Sequence, residues 1–271
     1  MIMDFLSVLQ FAFVQRAFLG GCVIAVLCAI LGLFLVLRKM SLIGDGLSHV
    51  SFGAVALGLL ANMPPLYVAL PLVVLASFAI LKLTEKARLY GDAAIGIVSA
   101  LGIAGGVILA SVSRGFNVDL FSYLFGNILS IGNEELVLAV ALSAVVLMVV
   151  AVFYNDLLAV TFDEEYARVS GIKTARVNML LMALTAVTVV LAIRVVGVML
   201  VSALLILPAA TALQLARGFK GALVISALAA VTAVIVGICI SIVLDLPAGG
   251  AIVAVNLVFF LAALGVKKAV G

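Results

Sequence analysis

The sequence contains no tryptophan, a single histidine and three cysteines in 271 residues, and only 10% of it is charged. Soluble domains carry about 25% charged residues, so a water-facing enzyme and a nucleic-acid-binding domain are both excluded. Cys22, Cys28 and Cys239 all fall inside apolar runs. They read as small buried thiols, and a secreted disulfide scaffold is excluded with them. With tryptophan missing, the interfacial rings are left to Tyr67, Tyr90, Tyr123, Tyr154 and Tyr166, each near a predicted helix boundary. What is abundant is apolar: 67% of the chain is hydrophobic, with a mean hydropathy of +1.48. A spanning helix takes about 20 residues, which leaves room for roughly eight to ten crossings.

The apolar stretches break at charged or Gly/Pro-rich points and predict helices over 12–37, 41–61, 66–83, 93–112, 135–154, 177–193, 196–213, 221–243 and 249–266. Pro208 interrupts the segment 196–213, which is expected to be broken or partly re-entrant. Arg16 lies in an otherwise apolar pattern, so residues 1–16 are expected to form an interfacial helix and not part of a span. A basic leader region is missing and Asp4 stands in its place, so no cleavable signal peptide is expected. The 24 glycines and many alanines allow helix backbones to approach closely, as in a compact bundle.

Orientation follows from the cations. Arg38, Lys39, Lys82, Lys86, Arg88, Arg168, Lys173, Arg176, Arg217, Lys220, Lys267 and Lys268 fall on one side of this topology, and only Arg16, Arg114 and Arg194 on the other. The positive-inside rule makes the rich side cytoplasmic. The carboxyl terminus is then inside and the amino terminus outside.

Asp45 and His49 are the residues a bilayer should not tolerate without a reason. A charge at mid-membrane costs about 2.5–3.5 kcal/mol on insertion scales. Their i, i+4 spacing places both on one face of the second pass, with Ser48 beside them. A carboxylate oxygen and an imidazole nitrogen one turn apart suit a divalent transition metal. Spacing alone leaves the alternative that Asp45 caps the helix and His49 makes a structural hydrogen bond. Gly46 and Gly53 form a neighbouring stripe that suggests a close helix crossing. Asp119, Asp245, Glu134 and Glu135 fall at outer helix ends, where a solvated face or a rim for a partner is expected.

The longest polar insert on the cytoplasmic side is 155–176. Thr161 or Asp163 can cap a short helix there, Glu164 and Glu165 favour its first turn, and Gly171 stops it. Such a helix is a docking element for another protein. The chain itself has no phosphate-binding glycine loop: Gly171-Ile-Lys-Thr lacks the Gly-Lys pair. Nor is there a His-Glu-x-x-His motif. Energy for uphill transport must therefore come from an ion gradient or a separate ATPase.

Six segments taken in order resemble the permease subunits of bacterial and archaeal zinc/manganese/iron ABC importers. They are Arg38-Lys-Met-Ser-Leu-Ile-Gly-Asp-Gly-Leu-Ser-His, Asp92-Ala-Ala-Ile-Gly-Ile, the stretch from Asp119 to Leu129, Phe162-Asp-Glu-Glu-Tyr-Ala-Arg-Val-Ser-Gly, the stretch from Val196 to Ala212, and Leu246-Pro-Ala-Gly-Gly. The resemblance implies an all-α polytopic membrane bundle of about eight or nine transmembrane helices with a cytoplasmic coupling helix, in the manner of a type II importer. It also implies a homodimer in the cell membrane, two cytoplasmic ATPases and an extracytoplasmic metal-binding receptor. Asp45 and His49 carry over as metal-path residues. Phe162, Asp163, Glu164, Glu165, Tyr166, Ala167, Arg168 and Gly171 carry over as the coupling element. Asn127 departs from the aspartate of many relatives, which speaks against a ligand role there. No cofactor is expected to be permanently bound. The transported ion is expected to be zinc first, with manganese or iron as alternatives. A proton-coupled carrier for the same ions and a non-transporting scaffold are the competing readings; the carrier would need several titratable groups in the bundle, and Asp45 with His49 is thin provision.

Overall fold

The computed structural model describes residues 10–87, 89–112 and 132–270. Among these residues there are eleven helices and no strands. They are α1 (Ala12–Leu37), α2 (Ile43–Leu60), α3 (Pro65–Lys86), α4 (Gly91–Val112), α5 (Asn133–Val152), α6 (Tyr154–Phe162), α7 (Glu164–Val169), α8 (Thr174–Val196), α9 (Val198–Leu215), α10 (Phe219–Leu244) and α11 (Ala248–Val270). Eight are long and apolar enough to cross a membrane, and α9 is a shorter apolar helix. With the cation bias, this makes the chain a multi-pass membrane protein. Arg88, Arg114, Asp119, Tyr123, Asn127 and the expectations for residues 1–9 lie outside the described residues.

Burial separates an inner group of helices from an outer one. The apolar window of α1 is 67% buried and that of α8 is 72%, whereas those of α4 and α5 are 22%. α1 lies at the centre against α5, α8, α9 and α10. α2, α3 and α4 pack as a group on one side, and α10 and α11 form the other side with α9 between. Val14, Ile24, Leu31 and Phe34 of α1 and Leu181, Met182 and Val189 of α8 are fully buried. The exposed leucines and valines of α4, α5, α10 and α11 are the surface expected to meet lipid or partner chains.

Two boundary expectations are corrected. α1 runs without interruption from Ala12, so Arg16 sits in its second turn and not on a separate interfacial helix. Its charge is met at that end of the bundle, where Nη1 donates to Asn133 Oδ1 at 2.8 Å. α9 is likewise unbroken: it passes through Pro208 as one helix of 18 residues. Neighbouring helices let it continue past the proline, a tolerance common in membrane bundles. The break falls instead at Gly197, the single residue between α8 and α9. Its φ of 84° and ψ of 164° belong to a region open essentially to glycine.

The glycine stripe of α2 does mark a close crossing, and its partner is α4. A Cβ on Gly46 would stand 2.6 Å from Ile95 Cγ2, and one on Gly53 2.5 Å from the carbonyl oxygen of Gly102. From the other helix, a Cβ on Gly102 would stand 2.6 Å from Val50 Cα. The two backbones touch, so the helices are bound to move together. Gly102→Val is expected to lower the thermal midpoint of the purified protein, at a cost of about 1–3 kcal/mol from overpacking. Gly105→Val, facing open space, is expected to leave that midpoint unchanged. Equal midpoints for the two variants in a melting assay would contradict the crossing.

Candidate functional site

α2 presents its polar face from its first turn. Leu42 occupies the N-cap position without a side-chain cap bond, so Asp45 is not the capping residue that spacing allowed. Asp45 lies in the first turn, and Ser48 Oγ donates back to its carbonyl at 2.7 Å. The helix begins at Ile43, two residues later than the sequence suggests, which puts His49 about 9 Å along its axis. The spacing holds as expected: His49 Nδ1 lies 3.9 Å from Asp45 Oδ2.

The structure adds a third polar group. Ser99 of α4 stands 2.7 Å from His49 Nδ1 through its Oγ. It is reached across the glycine crossing, which brings α4 close enough for a serine to span the gap. Sequence reasoning did not single out Ser99. The signal was present in the stripe Asp92, Gly96, Ser99, spaced i, i+4, i+7 on α4. Gly96 has nothing within reach of an added Cβ, so this stripe borders open space beside the histidine.

These contacts fix what the imidazole can do. The tautomer that offers Nε2 to a metal carries its proton on Nδ1 and donates it to Ser99 Oγ. Metal-binding histidines are commonly oriented in this way by a partner on the other ring nitrogen. The Asp45 carboxylate, however, lies on the Nδ1 side. A cation on Nε2 would therefore not take its carboxylate from the nearest oxygen of the same chain. Side-chain exposure is 30% for His49 and 51% for Asp45, so the notch opens on the surface of the single chain. Among the described residues no group of three or more His, Cys, Asp or Glu side chains is placed to hold a metal. One chain thus offers an incomplete set of donors on an open face.

At the end of the bundle where α5 begins, Glu135 is no free rim carboxylate: it is ion-paired with Arg194 of α8. Glu134 remains exposed, and Asp245 ends α10 in a left-handed conformation, with φ 53°.

The insert 155–176 folds as α6 and α7, one short helix more than expected. Asp163 is the N-cap of α7, its Oδ1 accepting from Tyr166 N at 2.9 Å. Thr161 instead donates to Leu157 O within α6. Gly171, at φ +90°, terminates the run, with its N–H donating to Arg168 O at 3.1 Å. Ala167 is buried beneath the helix, whereas Phe162, Tyr166 and Val169 are exposed and Glu165 faces outward with them. An aromatic cluster supports this segment: Phe219, at the start of α10, lies within 6.0 Å of the rings of Phe34, Tyr154 and Phe162. Phe219 was not foreseen, because nothing local in the sequence ties it to α6.

Comparison with known proteins bears directly on this arrangement. The model of the ABC 3 transport family matches residues 10–267. The chain belongs to the ABC 3 transport family. It is 32% identical over 254 residues to the manganese transport system membrane protein MntC of Halalkalibacterium halodurans, covering 94% of this chain and 87% of that one. It is equally 32% identical over 263 residues to a probable iron transport system membrane protein of Haemophilus influenzae, covering 97% of both. Among solved structures, PsaBC from Streptococcus pneumoniae in complex with Fab superposes with a TM-score of 0.87 at 33% identity, covering 97% of this chain and 95% of that chain. The ABC 3 member described here therefore shares both the all-α membrane fold and the sequence pattern of transport permeases.

Proposed function

We propose that this chain is the membrane-spanning permease of an ATP-driven importer of divalent transition-metal ions, and that Asp45 and His49 are donors along the ion's path. The observation that carries the reading is the open notch itself: an acid and an imidazole on one helical face, an oriented ring, and no closed cage. Conduction calls for binding favourable enough to admit the ion and loose enough to release it. Two chains paired across the notch would contribute two carboxylates and two imidazoles. α7, with Tyr166 and Val169 outward beside Phe162 at the end of α6, is the docking element for a cytoplasmic ATPase, one for each permease. An extracytoplasmic receptor delivers the ion to the outer face.

The single imidazole tilts toward zinc, and the carboxylate admits manganese. The relatives are named for manganese or iron, which favours manganese as the cargo ahead of iron and zinc. The proton-coupled alternative finds little support, since Asp45 and His49 are the titratable pair it would have to rely on.

The deciding experiment is reconstitution with the cognate ATPase and receptor in vesicles, with radioactive manganese outside and zinc or iron as competitors. Uptake is expected to require ATP, ATPase and receptor together. Uptake by the permease alone under a proton gradient would overturn the reading. Ser99→Ala, which leaves Nδ1 without its orienting partner, is expected to weaken apparent metal affinity in this assay by about tenfold, the lower end of what such partners contribute. An unchanged half-saturating concentration would remove Ser99 from the site.

A further inference from the structure

Between the docking helix and the metal stripe lies a buried polar cluster that neither of them explains. Arg38, the residue that ends α1, has a side chain only 11% exposed. Its Nη2 donates to Asn178 Oδ1 of α8 at 2.7 Å and reaches Glu164 Oε2 of α7 at 3.5 Å. Asn178, almost fully buried, turns its Nδ2 toward Glu164 Oε1 at 3.1 Å. Arg168 approaches the same Glu164 oxygen at 3.6 Å from the exposed side. Burial lowers the pKa of Arg38, and the carboxylates of Glu164 and Glu85 offset that effect. A cation buried this deeply is tolerated only when paired and hydrogen-bonded, and removing one partner leaves the others exposed to the full desolvation cost.

The position of Arg38 gives the cluster its meaning. Lys39 follows in a left-handed conformation, with φ 57°. Met40 N donates to Leu35 O at 2.9 Å, and Ile43 N to Met40 O at 3.1 Å. The α1–α2 connection is thus a tight hydrogen-bonded turn with no slack. Asp45 lies in the first turn beyond it, and α2 carries His49 one turn further. The backbone contacts between α2 and α4 bring Ser99 along with them. Glu164 therefore sits one ion pair away from the turn that leads into α2, which bears Asp45 and His49 and packs against Ser99 of α4. The aromatic contacts around Phe219 tie α6 to α10 and, through Phe34, to α1, but they carry no charged contact to α7.

We infer that Glu164, clamped by Arg38 and Asn178, is the positioning residue that transmits movement of α7 to the α1–α2 turn, and so to the Asp45–His49–Ser99 notch. This rests on the reading of α7 as the ATPase-docking helix. The clamp is internal to the permease, so its loss should spare assembly and ATP hydrolysis while disabling their use.

The test employs the whole assembly in vesicles, measuring manganese moved and ATP hydrolysed in the same preparation. Glu164→Gln removes the charge from a side chain at the protein surface, and Asn178→Leu removes both amide contacts at a buried position that no partner can touch. Each is expected to retain the ATPase at wild-type stoichiometry and to lower metal moved per ATP by about tenfold, the scale on which coupling elements act. Wild-type ratios in both variants would overturn the clamp. Loss of ATPase binding in Glu164→Gln would also overturn it, since Glu164 would then be a docking contact. Should Asn178→Leu fail to fold, Glu164→Gln decides the matter alone. Failure of the functional reading is distinguishable, because the unmodified assembly would then import no metal with ATP.

Discussion

Replacement of His49 by alanine is expected to abolish ATP-dependent metal uptake while leaving the amount of protein in the membrane unchanged. The two halves of this expectation have separate grounds. Partners that merely orient a metal-binding imidazole are worth about 10–100-fold in affinity, so loss of the imidazole itself should exceed that range. Stability should survive because His49 is part-exposed and its partner is the hydroxyl of Ser99, also only partly buried. No polar atom is stranded in the core by the change. Transport assays paired with quantification of the membrane fraction check both halves. Uptake at the wild-type rate would remove the histidine from the ion's path.

Gly171→Pro is expected to bring uptake to background by a different route. The native residue holds φ +90° and donates its N–H to Arg168 O. Proline fixes φ near −65° and has no N–H, a mismatch of about 3 kcal/mol or more. The α7 terminus would have to unwind, and with it the outward pair Tyr166 and Val169. Receptor-stimulated ATP hydrolysis is expected to disappear along with transport. Gly171→Ala tests the cause: a left-handed alanine costs only about 1–2 kcal/mol, so partial activity is expected to remain. Full activity of the proline variant would separate α7 from coupling.

Much of the fold was legible in the sequence because the bilayer imposes a single rule, that backbone polar groups be satisfied within the helix. Hydropathy consequently located the spans to within a few residues. The Pro208 expectation fails because proline's local effect is outweighed by the packing of α9 among its neighbours, and the helix continues through it. Arg16 was assigned to an interface for a similar reason: its partner, Asn133, lies 117 residues away. The site shows the same division. Asp45 and His49 were visible through i, i+4 spacing on one helix. Ser99, Phe219 and the Arg38–Asn178 pair become meaningful only through contacts between elements distant in the chain. Periodicity places Ser99 on a stripe with Asp92 and Gly96, but it does not encode which helix that stripe meets.

Gly197 is a one-link tether: it is the whole connection between α8 and α9. With a single residue there, no spare chain lets the two adjoining helix ends drift apart. Relative movement of the pair is left to their far ends, and that of α8 begins just beyond α7.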